Sequence, residues 1–172
     1  IPNLPALFRE IFDFNDGSAA CIRDDFYAVR GDLWLRKQIV PLRAWVRQYN
    51  NVLRVQVEGE ANMTIPTTDM LTATAAVDRP EHENLFVGDE IDNYLPMASA
   101  NHMTGNPWYS TECCAAFGKS YAQAFQDTVI RMHRSFVGGI TKLIYHVYPY
   151  RDGATWKWPG YHNFGQAGFS NA

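Results

Sequence analysis

The chain has 172 residues, with 15 Lys and Arg against 18 Asp and Glu and a formal charge of −3; it is 47% hydrophobic, 19% charged and 14% aromatic. That balance excludes a disordered chain, which would be poor in aromatics, and a phosphate-neutralising nucleic-acid binder, for which no basic excess or Lys/Arg run exists. No apolar stretch nears the roughly 20 residues of a membrane span, and no signal peptide is expected at the start.

In chain order, Leu4, Leu7, Phe8 and Ile11 mark a short first helix, stopped by Asn15-Asp16-Gly17. Asp24-Asp25 has the chemistry to bind a cation with other oxygens, but an exposed acidic pair is the plainer reading. From Asp32 to Tyr49 the apolar positions Leu35, Ile39, Leu42, Trp45 or Val46, and Tyr49 give one buried helical face. Pro41 lies inside that pattern, so the helix kinks there or two shorter helices meet. Val52 to Val57 reads as a strand, and Leu71 to Val77 as a second β-like run ending at Asp78-Arg79-Pro80-Glu81-His82-Glu83. Asn62-Met63-Thr64 is a glycosylation sequon that matters only for a secreted eukaryotic chain.

Ile91, Leu95, Ala98 and His102 share a helical face closed by Gly105, and Pro107 to Thr111 reads as a strand leading into Glu112. Tyr121, Phe125, Val129, Met132 and Phe136 mark another helix, stopped by Gly138-Gly139. Thr141 to Val147 is the clearest strand, and the Gly- and aromatic-rich segment 149–172 reads as a loop. Cys21, Cys113 and Cys114 do not form a disulfide framework. Adjacent Cys113 and Cys114 can hardly pair with each other in regular structure, though either is free to reach Cys21; buried free thiols beside Ala115, Ala116 and Phe117 are the main expectation.

Strands separated by helices imply βαβ units and a parallel sheet with right-handed crossovers. About four such units fall short of the eight strands and roughly 250 residues of a closed barrel. The fold class expected is therefore α/β, part of a (β/α)8 TIM-type barrel. Residues 1–172 would form one partial barrel domain, a fragment of a larger catalytic domain.

In such folds functional groups gather beyond the carboxyl ends of the strands. Glu58 and Glu60 follow Val57, Asp78, Glu81 and Glu83 follow Val77, Glu112 follows Thr111, and His146, Tyr148 and Tyr150 sit at or beyond the last strand. Paired carboxylates on one rim suit glycoside hydrolysis, one protonating the leaving oxygen while the other activates water or attacks the sugar carbon. Glu112 is the foremost candidate, against the ordinary role of an acid in the first turn of the next helix. Glu58, Glu60, Glu81 and Glu83 compete with solvated loop acids, Glu81 being slightly favoured because Pro80 fixes its approach. His102 is more ordinarily a core or helix-end histidine. Trp156, Trp158 and Tyr161 are either a sugar-stacking surface or a plug holding their loop down.

Several motifs then carry a resemblance. Ser110-Thr-Glu112-Cys-Cys-Ala115, a helix, Gly139-Ile-Thr-Lys-Leu-Ile-Tyr-His146-Val-Tyr-Pro-Tyr150 and Trp158-Pro-Gly-Tyr161 follow one another. Upstream come Leu53-Arg-Val-Gln56, Pro80-Glu-x-Glu83 and Ala98-Ser-Ala-Asn-His102-x-x-Gly105. Their order resembles glycoside hydrolase family 106, the multidomain α-L-rhamnosidases with a (β/α)8 catalytic barrel. The sequence departs from the family pattern at Val147, where Gly is usual, at Thr141, where Asn is common, and at Cys113-Cys114, where residues are smaller.

The resemblance implies the carboxyl-terminal half of that barrel and an inverting mechanism with two glutamates. One would be Glu112, as the base, and the other Glu58, Glu81 or a residue upstream. It also implies substrate contacts from His146, Tyr148, Tyr150, Trp156, Trp158 and His102, a calcium ion near the sugar, and a secreted or periplasmic setting. The carbohydrate is the expected partner, with no nucleic acid or membrane, and the chain would need the rest of the barrel or a second copy. The alternative is a noncatalytic carbohydrate-binding or scaffold protein derived from the same barrel.

Overall fold

A computed structural model describes residues 18–57, 69–83, 90–115 and 123–146. The elements in order are α1 (Ser18–Trp34), a π-helical turn (Leu35–Ile39), α2 (Val40–Arg47), β1 (Arg54–Gln56), α3 (Met70–Ala76) and β2 (Arg79–Glu83). They continue with α4 (Ile91–Thr104), β3 (Ser110–Cys113), α5 (Phe125–Val137) and β4 (Lys142–Tyr145). Among the described residues, no helix is long and apolar enough to cross a membrane. The first expected helix and the loop 149–172 lie outside the described residues.

The four strands form one parallel sheet in the order β1-β2-β3-β4. Because the order never reverses, right-handed crossovers put successive helices on the same face. In agreement, α3 packs on α4 and α4 on α5. The expected α/β class with four parallel strands is what the chain adopts.

Alternation then divides the sheet. Leu53, Val55 and Val57 pack with Ile39, Ala73 and Val77 against the helices. On the same face His82 lies edge-on to Tyr94 of α4, ring centroids 5.0 Å apart, and the Tyr145 hydroxyl reaches the Met132 sulfur of α5 at 3.1 Å. The opposite face carries Arg54, Gln56, Arg79, Glu81, Glu83, Ser110, Glu112 and Lys142, and Ile144 is its one large apolar member.

Two local expectations need correction. The run Leu71 to Val77, expected to be β-like, is helix α3 as far as Ala76. Asp69 caps it, its side chain accepting from the amides of Leu71 and Thr72, and the Thr74 hydroxyl donates to Met70 O at 2.7 Å. The strand lies just beyond, where Arg79 to Glu83 had been taken for the rim after it. Pro41 is the second residue of α2, so two α-helices meet across the π-helical turn just before it, one of the two arrangements expected for this proline. The backbone stays right-handed through Trp34, Ile39 and Val40, and the wide turn absorbs the proline, with Val40 N–H donating to Leu35 O.

The second correction concerns Cys113 and Cys114, which are both buried but joined to each other in a vicinal disulfide. Cys114 has left the extended conformation, with φ +75°, so the two side chains no longer point to opposite faces as they would in a regular strand. Cys21 is free and exposed.

Two glycines at the end of α5 show how closely the layers meet. A Cβ on Gly138 would stand 2.6 Å from Tyr94 Cβ, and Gly139, at φ +95°, would bring one within 2.7 Å of Ala98 Cβ. Only glycine lets this turn pass beneath α4.

Candidate functional site

Glu81, Glu112 and His146 come together on the polar face toward the carboxyl ends of the strands. Register explains why: Gln56 pairs with Glu81, Glu81 with Ser110, Glu83 with Glu112, and Glu112 with Ile144, two residues short of His146. Parallel in-register strands with a side-chain period of two therefore bring residues far apart in sequence into rows.

Glu81 is buried, and its oxygens are taken up by protein donors. Arg54 Nε lies 2.9 Å from Oε2 and Arg54 Nη2 donates to Oε1 at 3.2 Å. The Ser110 hydroxyl donates to Oε2 at 2.9 Å, and Gln56 Nε2 reaches Oε1 at 3.4 Å. A fully bonded, two-pronged ion pair suits a fixed carboxylate and a poor proton shuttle. Glu81, expected from the sequence as a candidate catalytic carboxylate, is bonded here as an anchor between β1 and β3.

Glu112 differs. Its Oε2 accepts from Gln56 Nε2 at 3.0 Å, while Oε1 faces His146 Nε2 at 3.8 Å, beyond hydrogen-bond reach. The two side chains keep 26% and 21% of their exposure, so solvent or a ligand can reach both. The backbone fixes the histidine, since His146 N–H donates to Cys113 O at 3.2 Å, next in the chain to Glu112. A single Gln56 amide N–H₂ thus donates to both glutamates, two acceptors for its two hydrogens.

The other expected site residues fare unevenly. His102 sits in the last turn of α4, exposed, at the amino-end side of the sheet and away from Glu112. It is a helix-end histidine and the structure does not bring it to the rim. Glu58, Glu60, Tyr148, Tyr150, Trp156, Trp158 and Tyr161 lie outside the described residues, as does the sequon. Asp24 and Asp25 are exposed on α1, as the plainer reading has it. Among the described residues no group of three or more His, Cys, Asp or Glu side chains is gathered to hold a metal. With Glu81 committed to Arg54 and Ser110, the groups described here do not fit the expected calcium ion, and no chemistry is routed through one.

Sequence reasoning passed over Arg54, Gln56 and Ser110 as site residues. The alternation of polar residues in Arg54-Val-Gln56 and Arg79-Pro-Glu81-His-Glu83 is the signal that marks them, once both runs are strands. Comparison of the chain with protein-family models, with curated proteins and with solved structures finds no match.

Proposed function

We propose that this chain is part of a glycoside hydrolase and that Glu112 is its general base. The observation that carries the reading is the asymmetry of Glu112, one oxygen held by Gln56 and the other open beside His146 at the carboxyl end of a parallel strand. In this reading Oε1 takes a proton from a water whose oxygen attacks the anomeric carbon. The glycosidic bond breaks toward its oxygen, and a second carboxyl group protonates that leaving oxygen. His146 is placed to donate to a sugar hydroxyl. A sheet wound in one direction, with helices on one face and charge on the other, suits a segment of a (β/α)8 barrel. The motif resemblance points to terminal α-L-rhamnosyl linkages as the substrate.

Glu81, bonded to Arg54 and Ser110, is the less suited candidate for the second carboxylate. Glu83 lies directly across the ladder from Glu112. Glu58, or a group from the rest of a barrel, remains the proposed acid. Release of p-nitrophenol from its α-L-rhamnoside by the purified chain tests the proposal. Turnover abolished by both Glu112→Gln and Glu58→Gln supports it, and turnover indifferent to Glu112→Gln sinks it.

One observation favours a noncatalytic reading. Glu81 is held by Arg54 and Ser110, an arrangement that suits fixed binding more than proton transfer. That alternative expects saturable binding of rhamnosides, with no product at any protein concentration.

A further inference from the structure

We propose that Gln56 is the positioning residue of the site: its amide, anchored on Glu81, fixes the orientation of Glu112. The inference rests on the glycosidase reading for its kinetic consequence, but not for its structural content. Gln56 Nε2 spans Glu81 Oε1 at 3.4 Å and Glu112 Oε2 at 3.0 Å, linking β1 to β3 across β2. Either carboxylate alone would leave the amide free to rotate. Two acceptors select one rotation, because turning the amide oxygen toward them would set it against two anionic groups.

The rest of the cluster serves that orientation. Arg54 and Ser110 immobilise Glu81 from both neighbouring strands, so the amide is built on a buried carboxylate rather than on a mobile one. Among the described residues Glu112 has no comparable support, since its contact with His146 is too long for a hydrogen bond. Removing the Gln56 donor leaves Oε2 to solvent and lets the carboxylate turn. A base that must meet a water at one oxygen loses rate from such freedom more than it loses substrate binding.

The experiment compares Gln56→Leu, which keeps volume and removes the donor, with Gln56→Lys, which keeps a donor between the two carboxylates. Both are assayed on p-nitrophenyl α-L-rhamnoside. The expected result for Gln56→Leu is a kcat about 10- to 100-fold lower, with KM within about twofold. Gln56→Lys should recover at least several-fold of that loss. Equal losses in the two variants, or a change confined to KM, overturn the proposal.

The carboxyl ¹³C resonance of Glu112, assigned by its disappearance in Glu112→Gln, is followed in the same proteins. It should move in Gln56→Leu and return toward its original position in Gln56→Lys. An unmoved resonance in Gln56→Leu overturns the proposal even if the parent chain turns over no rhamnoside. That absence of turnover by itself would count against the glycosidase reading alone.

Discussion

At the amino ends of the strands, Asp78 is closed in by donors. Arg43 Nε reaches its Oδ1 at 2.8 Å, Arg47 reaches the same oxygen, and the Leu53 amide donates to Oδ2 at 3.1 Å. Nearby, the Trp108 indole lies between the Arg79 guanidinium, 3.9 Å from the ring centroid, and the Lys142 ammonium, at 4.5 Å. At the carboxyl ends Glu112 has one oxygen held and one open. Burial works against the charge of Asp78, but hydrogen bonds from Arg43, the Leu53 amide and Arg47 outweigh it and hold the carboxyl below its usual range. A carboxylate whose bonds are all spent within the protein joins elements together. One with an oxygen to spare has something to offer a substrate.

The comparison breaks most visibly through a pair of substitutions. Glu112→Gln should lower rhamnoside turnover by about 10²- to 10⁴-fold, the range for a positioned base, with a urea midpoint near that of the parent. Asp78→Ala should do the reverse. It orphans the Leu53 amide and two guanidinium groups, and should cost about 2–4 kcal/mol of stability, while the fraction still folded keeps its kcat. A stable Asp78→Ala protein, or a Glu112→Gln protein that unfolds early, would show that the two ends do not divide these roles.

Much of this was legible in the sequence. The apolar spacing of α4 and α5, Gly105 as a left-handed cap and the strand around Leu143 all follow from periodicity and stop signals. Glu112 and His146 follow from the rule that groups at the carboxyl ends of parallel strands face the site. The segment from Leu71 to Glu83 was not legible in the same way. Thr72, Thr74 and Val77 suit a strand while Met70, Leu71 and three Ala suit a helix, so propensity does not decide, and the Asp69 cap marks where α3 starts. That shift moved the strand on by a few residues and hid the alternation that places Glu81 on the polar face. Gln56 was hidden for another reason: its role depends on register across three strands, which no local pattern reports.

A titration probes the helix-facing side of β2. Burial pushes the His82 imidazole down to about 3, so it stays neutral in the fold. In the unfolded chain it takes up a proton near pH 6.5. Below that pH the unfolded state therefore binds a proton that the folded state refuses, and stability falls as the pH drops from about 6.5 toward 3. The slope from this one residue is at most about 1.4 kcal/mol per pH unit. Urea midpoints measured at pH 7 and pH 5 should differ by more in the parent chain than in His82→Asn. Equal differences would mean that His82 is protonated in the fold, and that the helix-facing side of β2 is wetter than its packing on Tyr94 suggests.

The smallest effect tests whether position or bonding decides the role. Asp69 opens α3, so it belongs to the same end of the sheet as Glu112, yet its oxygens are used as fully as those of Asp78. The Thr72 hydroxyl donates to Oδ2 at 2.5 Å, and the Leu71 and Thr72 amides donate to Oδ1 at 3.0 and 3.4 Å. The hydroxyl of Thr72 foremost, helped by the two amides, holds the carboxyl below its usual range against the opposing effect of burial. The cap is thus charged at neutral pH, and its contribution fades only as the pH falls through that lowered value. Asp69→Ala should cost about 1 kcal/mol, and Asp69→Asn or Asp69→Ser only a few tenths, because these side chains still accept from the free amides. None of the three should change turnover. If Asp69→Ala reduced kcat at unchanged stability, lying at the carboxyl end would itself confer function, and the distinction between spent and open carboxylates would fail.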